Sequence, residues 1–151
     1  MLSTPPLEHL SVETVETVVV RASIETTFES MIVQLGRQNE LPDGTPFPMI
    51  IEPWPGGRWY RDLGSDNGHL WGHVQSIKRP TLLEIYGPLF MSYPVASNLM
   101  YRLKEVDGGT EIAFRHSAFG LIPDDHRKRM GEGWRLWLSR IRTQAEGTLR
   151  G

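Results

Sequence analysis

The chain has 151 residues, 39% hydrophobic and 23% charged, with 16 Lys plus Arg against 18 Asp plus Glu. This is the make-up of one globular domain, expected over residues 1–151, and it excludes wholesale disorder. A net charge of −2 excludes a strongly basic nucleic-acid binder, and the lack of cysteine removes disulfides, thiolate metal sites and cysteine nucleophiles.

Met1–Leu10 has no basic stretch followed by an apolar one, so no secretory leader is expected. No run of about 18 apolar residues occurs, so no membrane insertion is expected and the cytoplasm is the expected location. Residues 13–22, rich in Val and Thr, predict a strand. Ser23 then caps a short helix from Glu25 to about Leu35, stopped by Gly36. From Leu41 to Gly57 the breakers are so dense that only a short strand around Met49–Glu52 fits, and the rest reads as loop.

Beyond Gly57 hairpins follow in quick order. Arg58–Leu63 and His69–Ile77 flank a turn at Ser65-Asp66-Asn67-Gly68, and Leu82–Tyr86 is a further strand. After a longer connection at Gly87–Pro94, Ala96–Val106 and Thr110–Phe119 flank Asp107-Gly108-Gly109. The tail changes period. Met130, Trp134, Trp137, Leu138, Ile141 and Ala145 recur at three and four, predicting a long amphipathic helix from Pro123 to about Glu146, with Gly147 as its stop. Its arginines and Lys128 read as a solvated polar face. The order predicts an α+β fold, one antiparallel sheet burying its apolar face against the terminal helix, with room for a ligand between them.

Four segments carry a resemblance. Ile51-Glu52-Pro53-Trp54-Pro55-Gly56-Gly57-Arg58-Trp59 is similar to an E-P-x-x-G-G strand-turn segment. Gly72-His73-Val74 with Pro80 and Leu83 is similar to a G-x-V…P…L strand pair. Gly109-Thr110-Glu111-Ile112 through His116, and Gly133-Trp134 with Leu138, resemble a penultimate strand and the start of a terminal helix. In this order, over about residues 12–147, the sequence resembles the START-like (SRPBCC, Bet v-like) helix-grip superfamily, in the activator-of-Hsp90-ATPase branch of C-terminal-domain type. The resemblance implies a curved sheet around a long helix with an apolar cavity. It leaves function open among ligand binding, a cyclase or dehydratase, and a protein-interaction module touching an Hsp90-type chaperone.

Large aromatics bury well, so each is first a core residue; a hollow fold adds the second reading, a cavity wall. The residues expected to line such a cavity are Trp71, Tyr86, Tyr101, Phe114, His116, Trp134, Leu138 and Ile141. Leu70 and Val74 compete with Trp71 for the inward face, and one residue of phase decides between them. His116 is the best polar candidate, as an anchor, a proton donor or a histidine satisfied in the core. His69 and His73 do not predict a metal site, because residues four apart on a strand stand roughly 13 Å apart. Trp54, held between two prolines, caps a cavity mouth or packs on the surface. Glu52, Asp62 and Glu84 are candidate acid/base groups without a motif to single them out. No hydrolase, phosphate-loop or dinucleotide motif is present. The expected partner is a small apolar or amphipathic molecule, with no cofactor and no metal; a homodimer and a chaperone partner are left open.

Overall fold

Alternating Val and Thr side chains place Ser11–Val20 in an extended strand, β1, in a computed structural model that describes residues 6–148. The reading of the amino terminus falls partly on Met1–Pro5, outside the described residues. Ser23 accepts a hydrogen bond from Thr26 N at 3.1 Å and opens helix α1 (Ile24–Leu35), one residue earlier than expected. Gly36 closes it by donating to the carbonyls of Ile32 and Val33.

The breaker-rich stretch holds only β2 (Ile50–Ile51), followed by β3 (Arg58–Gly64), β4 (Asn67–Lys78), β5 (Leu82–Gly87), β6 (Val95–Val106) and β7 (Gly109–Gly120). The first hairpin turn is tighter than expected, centred on Ser65 and Asp66, both at positive φ. All neighbouring strands are antiparallel, in the order β1-β7-β6-β5-β4-β3-β2. Helix α2 (Asp124–Thr148) passes through Gly147 instead of stopping there, and it packs against α1 and β1. This curved seven-stranded sheet closed by a long terminal helix is the helix-grip fold.

The turn before β3 shows what its motif does. The Glu52 carboxylate accepts from Arg58 N, Nε and Nη2 at 2.8–2.9 Å, and those bonds hold its pKa down at about 2. A Cβ on Gly57 would lie 1.9 Å from the Glu52 carbonyl oxygen, so only glycine allows the chain to turn back this closely. The turn delivers Trp59 to the core, fully buried, with its indole N–H donating to Leu35 O at 2.8 Å.

The core runs along the concave face. Cross-strand partners Leu83, Tyr101 and Phe114 line up on it, as do Ile85, Leu99 and His116. His116 is fully buried between Thr14 of β1 and Leu99 of β6. Trp134 of α2 donates its indole N–H to His116 Nδ1 at 2.9 Å, so in the neutral ring the proton sits on Nε2, which donates to Ser97 Oγ at 3.0 Å. One imidazole therefore ties β7 to β6 and to the terminal helix.

Burial, aided by His126, lowers the pKa of His116 from 6.5 to about 4. Between these values the unfolded chain binds a proton that the folded chain refuses. Stability is therefore full above pH 6.5 and falls as the pH drops toward 4, by up to about 3 kcal/mol. His116→Gln keeps an acceptor for Trp134 without titrating; urea unfolding at several pH values should show a shallower acid slope for it than for the wild type. The buried Tyr101 hydroxyl has no hydrogen-bond partner among the described residues, so Tyr101→Phe should raise the urea midpoint, by about 1 kcal/mol in stability.

Candidate functional site

The largest aromatic side chains of α2 and the sheet meet at one side of the core. Trp59 packs edge-on against Trp71 at 5.0 Å between ring centroids and against Trp137 at 6.1 Å. Trp134 lies 5.8 Å from Trp137 and 5.0 Å from Phe114. On the outer side of this cluster opens a cleft of about 400 Å³, bounded by α2, residues 39–47, β4 and Phe90. Its apolar wall is Leu41, Pro42, Phe47, Trp71, Phe90, Met130, Trp134, Leu136 and Trp137. Its polar members are Asn39, Glu40, His69, His126, Arg129 and Arg140.

Each side of the cleft has a local cause. Trp71 reaches it through a β-bulge: Trp59 pairs with Gly72 and Tyr60 with Leu70, which leaves Trp71 as the extra residue of β4. The bulge turns Trp71 inward, 6% exposed, while Leu70 stays 45% exposed; Val74, two residues beyond the Gly72 that pairs with Trp59 and itself opposite Ile85, keeps the inward alternation and is buried as well. The opposite side is the 39–47 segment, which has almost no periodic secondary structure. Arg140 fastens it to α2 by donating to the carbonyls of Glu40, Leu41 and Pro42 at 2.8–3.2 Å and by pairing with Glu40 at 3.5 Å. Gly133 leaves the helix side open: beyond its neighbours and the local helix backbone, no heavy atom lies within 4 Å of where a Cβ would stand.

Of the eight residues expected to line a cavity, Trp71 and Trp134 are on the cleft wall. Tyr101, Phe114, His116, Leu138 and Ile141 are buried behind it. Tyr86 is a correction: β5 turns Leu83 and Ile85 inward, so Tyr86 faces out, 47% exposed and stacked on His73. His116 has both ring nitrogens engaged and is packed under Trp134, without reaching the cleft. Trp54 is 55% exposed and lies away from the cleft. Glu52 is bound to Arg58, Asp62 accepts from Gly64 N, and Glu84 accepts from Ser76 and Asn98, so none of the three serves the cleft.

The basic face of α2 is also corrected, because much of it is a set of fasteners. Arg127 donates to the carbonyls of Ser11 and His9, Arg135 pairs with Glu16 at 2.9 Å, and Arg140 holds the 39–47 segment. Sequence reasoning missed Phe47, Phe90, His126, Arg129 and the residues of the 39–47 segment. Trp137 and Gly133 carried a signal, an aromatic at the helical interval and a glycine inside a helix.

His69 of β4 and His126 of α2 both line the cleft. Trp71 donates its indole N–H to His69 Nδ1 at 3.2 Å, and Tyr93 Oη lies 2.5 Å from His126 Nδ1. No cluster of three or more His, Asp or Glu that could hold a metal occurs among the described residues. Nor is any helix among them long and apolar enough to cross a membrane.

Solved structures share this architecture at low sequence identity. An uncharacterized protein from Rhizobium leguminosarum superposes with a TM-score of 0.70 at 16% identity, covering 90% of this chain and 95% of its own. A protein from Chromobacterium violaceum gives 0.69 at 13% identity, covering 89% and 96%. A di-domain ARO/CYC protein of the steffimycin biosynthetic pathway gives 0.66 at 9% identity, over 96% of this chain and 54% of its own. At such identities the likeness shows the fold alone. No curated protein matches the sequence. The model of the family described as activator of Hsp90 ATPase homolog 1-like protein matches residues 23–146, which hold α1, strands β2 to β7 and α2 as far as Glu146, and the chain belongs to that family.

Proposed function

We propose that this chain binds a small apolar or amphipathic molecule in the cleft between α2, the 39–47 segment and β4. The observation that carries the reading is the wall of Phe47, Trp71, Phe90, Trp134 and Trp137 around about 400 Å³ of space. That volume is within the range of small-molecule sites, about 300–1,000 Å³. Apolar surface buried there stabilises a complex by about 25 cal/mol per Å², and ring faces suit a flat or ring-bearing body. The rings pack on one another and on the core, so the wall is formed before a ligand arrives and little ordering is needed on binding. A cyclase or dehydratase using His116 has no support in this arrangement, since its ring is bonded at both nitrogens and does not line the cleft.

Gly133 provides the test. Native mass spectrometry of freshly purified protein should show a reproducible adduct that is lost on denaturation and missing from Gly133→Trp, whose side chain fills the open space. A bare mass together with no saturable uptake of an apolar fluorescent probe would overturn the reading. Gly133→Ala adds one methyl group where nothing beyond the adjoining residues and the local helix backbone lies within 4 Å. It should raise stability in urea unfolding by about 1 kcal/mol, the usual helix preference for alanine over glycine.

A further inference from the structure

The charged and imidazole groups around the cleft leave donors in excess. Glu40, the carboxylate of the lining, is taken up by Arg140, and Arg140 in turn donates to three backbone carbonyls. Arg129 makes no hydrogen bond or ion pair with any described residue. Asp125 and Glu132, one helical turn to either side, form no ion pair with it. On β4, His69 Nδ1 accepts from Trp71, so in the neutral ring the proton sits on Nε2, a donor without a partner among the described residues. His126 is likewise engaged at Nδ1 alone. The indole N–H of Trp137 is buried with no acceptor among the described residues.

On the binding reading above, we infer that the occupant is an amphipathic anion, an apolar ring-bearing body ending in one carboxylate-like group held by Arg129 at the rim. A guanidinium offers a planar fork that matches a carboxylate, and His126, three residues before Arg129 on α2, has its Nε2 unengaged on the same side of the helix. Arg129 and Gly133 are four apart on α2, so the cation stands one helical turn from the open floor that would take the apolar body. A cationic amphipath would meet the same apolar wall but an unpaired guanidinium at the rim, which penalises it.

Two probes with the same ring skeleton separate the terms: anilinonaphthalene sulfonate, which is anionic, and phenylnaphthylamine, which is neutral. Fluorescence titration of the full chain should show the anionic probe binding about five- to tenfold more tightly than the neutral one, the scale of one partly exposed charge-assisted hydrogen bond. That ratio should fall toward one in Arg129→Gln, be largely kept in Arg129→Lys, and stay at the wild-type value in Arg142→Gln, a cation of the same helix outside the cleft. A wild-type ratio near one, or a ratio indifferent to Arg129→Gln, overturns the anion assignment. In that case the cleft reading survives if Gly133→Trp expels both probes. Failure of both probes to bind the wild type overturns the two together.

Discussion

Helix α2 can close the sheet because Trp134 and His116 satisfy each other. A buried indole N–H and a buried imidazole each cost free energy without a partner, and here each is the other's partner, with Ser97 Oγ completing the ring. The pair sets both the depth of the helix and its rotation, since Trp134 must meet a nitrogen on β7 as well as pack on Phe114. Once that rotation is set, the stripe from Arg129 through Gly133 and Trp137 to Arg140 faces the cleft. The site is thus a consequence of the core contact.

Core and site share their walls. The rings run in contact from Tyr101 through Phe114, Trp134, Trp137 and Trp59 to Trp71, and the last of these meets Phe47 and Phe90 at the cleft. Close-packed rings transmit displacement, so the outer members have little freedom to collapse into the empty space. Arginines act at the perimeter. Arg127 fastens α2 to the backbone around Ser11, and Arg140 fastens it to the 39–47 segment. Each uses a planar set of donors on carbonyl oxygens that would otherwise face water. A helix whose polar residues outnumber its apolar ones is therefore anchored on two faces.

The family motifs mark places where the backbone itself needs a given residue. The Glu52–Gly57 turn folds on a carboxylate–guanidinium pair and a glycine with no room for a Cβ. At Gly72 a Cβ would stand 2.5 Å from Tyr86 O, which explains the glycine beside the bulge that aims Trp71. These are constraints of the scaffold and leave the cleft side chains free to differ. A shared fold with protein families of several functions is compatible with that division.

Element order, strand alternation and the amphipathic period of α2 were legible along the chain because each is a local property, repeated every two or three to four residues. That was enough for the fold and for naming Trp71 and Trp134 as candidate wall residues. The chain could not show that Tyr86 points outward, since its direction follows from strand pairing with His73 and Asn98. Nor could it show that a bulge turns Trp71 inward, or that a segment as irregular as residues 39–47 forms a wall through Arg140, 100 residues away in sequence from Glu40. Local period determined which elements exist; register, bulges and long-range hydrogen bonds decided which side chains meet, because those depend on pairings that no stretch of chain makes with itself.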